Sequence, residues 1–124
     1  PDEALGRPVI TGLGRDFFLE ARDESQSLIR EALDAERLYR EVERRPPVGE
    51  LHVDAIHGLL LYTQSGTAIR LGRGQPAELR QRLARLDAVL AALGREPAAP
   101  QAIYLDNRAH PEHVTVRLAS AAKP

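Results

Sequence analysis

Cysteine, methionine and tryptophan are all missing from the 124 residues, and two Phe and three Tyr supply every aromatic ring. Without thiols there is no disulfide framework, zinc finger, iron–sulfur site or cysteine nucleophile, so any metal would have to rest on His or carboxylate. Lysine is nearly absent as well, Lys123 being the single one, so Arg carries the positive charge. Seventeen basic against eighteen acidic side chains leave a net charge of -1. That balance removes the electrostatic reason to expect DNA, RNA or an anionic membrane surface, and too few aromatic rings remain to stack single-stranded bases. Long apolar runs are also lacking: Ala88 to Leu93 is the longest, far short of the about 18 residues of a membrane span. No charged, apolar and small-residue leader is visible, and a start at Pro1-Asp2-Glu3 reads as a processed product or a segment of something longer.

What is present is an ordinary globular composition, 43% hydrophobic and 28% charged, in a length that suits one domain spanning residues 1–124. The opening, with Gly6, Pro8, Gly12 and Gly14, is too broken for a helix and reads as an extended lead-in anchored by Val9 and Ile10. From Asp23 to Arg44, Leu28, Ile29, Ala32, Leu33, Ala35, Leu38, Tyr39 and Val42 recur at three- and four-residue steps. They predict a helix with one buried stripe, capped by Asp23 or Ser25, stopped by Pro46-Pro47 and stapled at its entry by Phe17 and Phe18.

Between Glu50 and Leu71 the period changes to two, predicting three strands joined by the short glycine-containing turns Asp54 to Gly58 and Gln64 to Gly66. A second helix follows, entered at Gly74-Gln75-Pro76, striped by Leu79, Leu83, Leu86, Val89, Leu90 and Leu93 and ended by a left-handed Gly94. After a loop from Pro97 to Pro100, Ala102 to Asp106 and Val114 to Leu118 read as two more strands. Val114, Val116 and Leu118 face one way, Thr115 and Arg117 the other. The sum is α+β, a mainly antiparallel sheet of about five or more strands with two main helices packed on one face, followed by a fraying tail, Ala119 to Pro124.

Few residues carry recognisable chemistry. His110-Pro-Glu-His113 offers two imidazoles with Glu112 as an oxygen donor, a metal-ligand spacing if it were helical, but Pro111 makes it a turn and no further ligand lies nearby in sequence. No metal and no cofactor is expected. His52 and His57 flank Asp54 like a base with its orienting carboxylate, yet no nucleophile accompanies them, so they read as surface histidines. Gly72-Arg73-Gly74 at a strand-to-helix junction is too short for a phosphate loop and reads as a turn; Arg80, Arg82 and Arg85 read as a solvated helix face. The last strand says more. It follows a polar turn and only a short tail comes after it, so it reads either as a sheet edge that could accept a partner's strand through main-chain hydrogen bonds, or as an internal strand or a blunt edge that Thr115 and Arg117 merely solvate.

Three motifs in order resemble the distal extracytoplasmic domain of the FtsQ/DivIB family of bacterial cell-division proteins. They are Pro8-Val9-Ile10-Thr11-Gly12, Ser65-Gly66-Thr67-Ala68-Ile69-Arg70-Leu71-Gly72, and Ile103-Tyr104-Leu105-Asp106-Asn107-Arg108. The likeness covers roughly residues 8 to 118. It implies a non-enzymatic scaffold at the periplasmic face of the bacterial inner membrane, with no small-molecule substrate or nucleic acid. The full-length protein would be anchored by an N-terminal membrane helix and carry a small POTRA domain ahead of this one. The implied partners are the small membrane-spanning coiled-coil proteins FtsB and FtsL. The implied contacts are Arg108, the turn from His110 to His113, and Val114, Thr115, Val116 and Arg117, with Arg108 gripping a partner carboxylate. This chain departs from the family in having Ala109 where an aromatic often stands and no Gly in the turn, which implies either weaker association or a compensating anchor such as Tyr104. The competing readings are a His-based metal protein or hydrolase and a generic extracytoplasmic accessory domain.

Overall fold

A computed structural model describes residues 9–11, 22–94, 100–107 and 109–118. The elements are β1 (Val9–Thr11), α1 (Arg22–Arg40), β2 (Val48–Asp54), β3 (Gly58–Thr63), β4 (Ala68–Gly72), α2 (Pro76–Leu93), β5 (Pro100–Tyr104) and β6 (Thr115–Leu118). The strands form one six-stranded sheet in the order of the chain. Pairing is antiparallel at β2–β3, β3–β4 and β5–β6 and parallel at β1–β2 and β4–β5. The parallel joints fall where a helix intervenes, because a parallel neighbour can be reached only by a long crossover. The predicted α+β architecture is therefore present, with β1 extending the sheet by three residues that the sequence marked only as an extended lead-in.

Alternation along the strands produces two unlike faces. On the helix side, register aligns Leu51, Leu61, Ile69, Ile103 and Val116 into one row across β2 to β6, and its first four members are at most 2% exposed. On the other side His52, Leu60, Arg70, Tyr104 and Thr115 form the matching row, half-buried to exposed. Helix α1 contributes Leu28, Ala32, Ala35, Leu38 and Tyr39 to the core, and α2 contributes Leu79, Leu83 and Leu86.

The helices depart from the sequence reading at their ends and edges. α1 begins at Arg22, so Asp23 and Ser25 are inside it rather than capping it, and it ends at Arg40 rather than Arg44. Its stop is made by a side chain: Arg45 Nη1 donates to the carbonyls of Leu38 and Tyr39, both at 3.0 Å, satisfying acceptors that the helix end leaves open. Leu33 is exposed, not part of the buried stripe, whereas Glu36 is buried on the same helix and pairs with Arg40. α2 opens as predicted, with Pro76 in the first turn and Glu78 accepting the Gln75 N–H at 2.8 Å. Gly94 has φ -60°, so it continues the right-handed turn and does not make the expected left-handed stop. Phe17, Phe18 and the tail Ala119 to Pro124 lie outside the described residues.

Candidate partner-docking edge

β6 stands last in the sheet order, and among the described residues its only strand neighbour is β5. In an antiparallel pair alternate residues turn both N–H and C=O away from the partner, so a terminal strand offers a row of donors and acceptors along its outer side. Thr115 and Arg117 lie opposite Tyr104 and Ala102, on the open face of the sheet, and both are exposed. Val114 and Val116 pack against the core without being closed over, and Leu118 is 43% exposed. The buried row thus reaches β6 and stops half-covered at Val116.

The approach to β6 is a tight, polar turn. The Asn107 side-chain oxygen accepts the His110 N–H at 2.9 Å, and the His113 N–H donates to the His110 carbonyl at 2.8 Å. These local bonds compete with continued strand pairing, which is how Asn and the fixed φ of Pro111 turn a chain. The His110 and His113 rings stack, 4.7 Å between centroids, and both are exposed. Of the residues expected to meet a partner, His110, His113, Val114, Thr115, Val116 and Arg117 are contiguous along this turn and strand; Arg108 lies outside the described residues.

What supports the turn was not singled out from sequence. Asp106, immediately ahead of it, receives Arg70 Nε at 3.0 Å on one oxygen and 2.9 Å on the other. The same guanidinium lies 4.6 Å from the centre of the Tyr104 ring, a cation–π distance. Tyr104, proposed from sequence as a compensating anchor, is thus half-buried on the open face beneath Arg70. Gly72, at φ +79°, lets β4 pass so close that a Cβ there would sit 2.6 Å from Asp106 Cβ. The signal available in sequence was the presence of Arg70, Gly72 and Asp106 within two of the three motifs, but their pairing is a tertiary event.

Other chemistry-bearing candidates resolve into structural roles. Asp54 Oδ1 accepts the N–H groups of Ile56 and His57 at 2.9 and 2.5 Å, closing the β2–β3 turn. Burial raises its pKa, but these N–H groups and His57 outweigh it and hold the carboxyl below the usual range. Its contact to His57 Nδ1 is 3.5 Å, with that side chain 54% exposed, an arrangement of a surface turn rather than a catalytic pair. At Gly72-Arg73-Gly74 the place an anion would take is filled from within: Glu31 binds Arg73 through both oxygens, at 2.7 and 3.0 Å, and lies 3.4 Å from the Gly74 nitrogen. The Arg73 hydrogen bond keeps the Glu31 carboxyl below its ordinary pKa despite partial burial. Arg82, expected on a solvated face, instead donates to the carbonyls of Leu71 and Arg73 at 2.8 and 2.7 Å, which fastens the same junction to α2.

Comparison with known proteins adds a family to this geometry. Residues 2–108 match the sequence profile of the C-terminal domain of cell division protein FtsQ/DivIB. The chain is 39% identical over 121 residues to cell division protein FtsQ of Anaeromyxobacter sp. (strain K), covering 96% of this chain and 40% of that protein. It is 34% identical over 124 residues to cell division protein FtsQ of Myxococcus fulvus (strain ATCC BAA-855 / HW-1), covering 98% of this chain and 42% of that protein. The chain therefore spans about two fifths of the length of these relatives, and the matched profile ends just before the turn that leads to β6.

Proposed function

The chain belongs to the FtsQ/DivIB family of cell-division proteins, and from that premise we propose that it is a docking domain of the division machinery whose β6 edge takes up a strand from a small coiled-coil partner of the FtsB or FtsL kind. The observation that carries this reading is the interrupted row Leu51, Leu61, Ile69, Ile103 and Val116. A strand added outside β6 would meet backbone groups that no strand among the described residues pairs, and an apolar side chain in register with Val116 would continue the row. Main-chain bonds supply the affinity and the side-chain row the specificity. Arg117 is the one charged residue on β6, and a lone edge charge also discourages indiscriminate pairing.

Arg108, on the strength of the family likeness, supplies bidentate contact to a partner carboxylate, while His110 to His113 border the entry of the added strand. The domain works at the periplasmic face of the inner membrane, held there by an N-terminal helix of the full-length protein. No helix among the described residues is long and apolar enough to cross a membrane.

Titrating the domain with a peptide from the cognate FtsB-like partner tests the reading. Val116→Pro and Arg117→Pro together probe successive residues, so at least one removes an outward N–H. The expected result is loss of about tenfold or more in affinity for whichever of the two carries the outward N–H, with its circular dichroism unchanged, and a comparable loss with unchanged circular dichroism for Arg108→Ala. Undiminished affinity in all three variants would remove β6 as the docking edge.

A further inference from the structure

We propose that the turn from His110 to His113 is a binding site for a borderline divalent transition-metal ion, zinc in the first instance. A helical spacing is not needed, because the turn itself gathers the donors. One imidazole nitrogen from His110, one from His113 and a carboxylate oxygen of Glu112 all lie within 4.8 Å of one another, and the three side chains are exposed. The two rings are stacked at 4.7 Å and 24°, so one must turn about its side-chain bonds before the in-plane lone pairs converge, and Glu112 Oε2 already lies 3.7 Å from His113 Nε2.

Two ligands on a tetrahedral zinc stand about 3.3 Å apart at bond lengths near 2.0 to 2.1 Å. The present separation therefore has to close by roughly 1.5 Å at most, within the reach of side-chain rotations in solvent. The backbone need not move: the His113 to His110 hydrogen bond of 2.8 Å and the Asn107 cap of 2.9 Å already define the turn. Two imidazoles and one carboxylate form a donor set for zinc, nickel or copper rather than for calcium or magnesium, which prefer all-oxygen shells. Three protein ligands leave a fourth position for water. Bound there, the ion would cross-link the turn that feeds Thr115; its effect on docking rests on the β6 reading, whereas the site itself does not.

Calorimetric titration of the purified domain with zinc chloride, and in separate runs with magnesium and calcium chloride, tests the site without any partner. Zinc is expected to bind once per chain and the two alkaline-earth ions not to bind. His110→Ala and His113→Ala should each weaken zinc by about tenfold or more, and Glu112→Gln by less, while His52→Ala and His57→Ala leave it unchanged. Cobalt substitution should give the visible absorption of a four-coordinate ion, lost in His110→Ala. All three residues are exposed on a turn, so these variants keep the fold. Absence of zinc binding to the unmodified domain, or binding retained by the His110→Ala/His113→Ala double variant, would overturn the site; neither outcome touches peptide docking, which is measured with chelator present.

Discussion

Arg70 and Asp106 are joined across the parallel β4–β5 pair by a charge-assisted hydrogen bond of 3.0 Å, and the Arg70 guanidinium lies over Tyr104. The bond connects two stretches that are 36 residues apart in sequence. It fixes the end of β5 at the point where the chain turns toward β6, so the position of β6 depends on this pair.

Asp106→Ala leaves the half-buried Arg70 without its acceptor. The expected cost is about 1–3 kcal/mol of unfolding free energy, measured by urea denaturation. Arg70→Lys keeps the charge but loses the flat guanidinium over Tyr104, with an expected cost of about 1 kcal/mol.

Gly72→Ala is a more severe change than its size suggests. The position has φ +79° and an added Cβ would meet Asp106 Cβ at 2.6 Å, so both conformation and space oppose it. A loss of about 2–4 kcal/mol is expected. Gly66→Ala is the control: its φ is +98° but nothing lies within 4 Å of the added atom, so the loss should be only about 1 kcal/mol, read from the same melts.

Arg45 carries a second prediction about charge. Its side chain is 7% exposed, caps the carbonyls of Leu38 and Tyr39, and grips both oxygens of Asp87 on α2 at 2.8 Å. Arg45→Met should destabilise by about 3–5 kcal/mol, because the part-buried Asp87 loses its cation and the Leu38 and Tyr39 carbonyls lose the guanidinium bond, Leu38 keeping only the Glu41 N–H at 3.2 Å. Arg80→Ala removes an ion pair with Glu41 of similar length, 3.0 Å, but in solvent, and should change stability by less than about 1 kcal/mol.

Stability should depend on pH at both ends of the scale, with opposite signs of shift. Glu31 has a pKa below 4.5 in the folded state because of Arg73. Its contribution is present above pH 4.5 and is lost as pH falls from there through the depressed folded value. Tyr39 is raised to about 12 from 10.0, chiefly by burial, with Arg45 opposing and Asp87 adding to the rise. Its contribution is present below pH 10 and lost between 10 and about 12. Denaturation curves of Glu31→Gln should therefore converge on the unmodified protein's in acid, relative to neutral pH. Tyr39→Phe should be less sensitive to alkali; an unchanged slope above pH 10 would contradict the assignment.

Local periodicity and punctuation were enough to read α1, β2, β3, β4, α2, β5 and β6, because a face that must be buried repeats every two residues in a strand and every three or four in a helix. Which side of β6 the valines take was legible for the same reason, as was the turn at Pro111 before it, though not the Asn107 side chain that caps it. Pairing partners were not. That Val9 joins the sheet in parallel, that Glu31 fills the Gly72-Arg73-Gly74 junction, that Arg45 ends α1 and that Asp106 receives Arg70 all require residues distant in the chain to meet, and a one-dimensional pattern specifies how a segment faces but not what it faces. The lateral order that leaves β6 with one strand neighbour among the described residues was settled by tertiary packing, since alternation in sequence is the same for a strand at the edge and a strand in the middle.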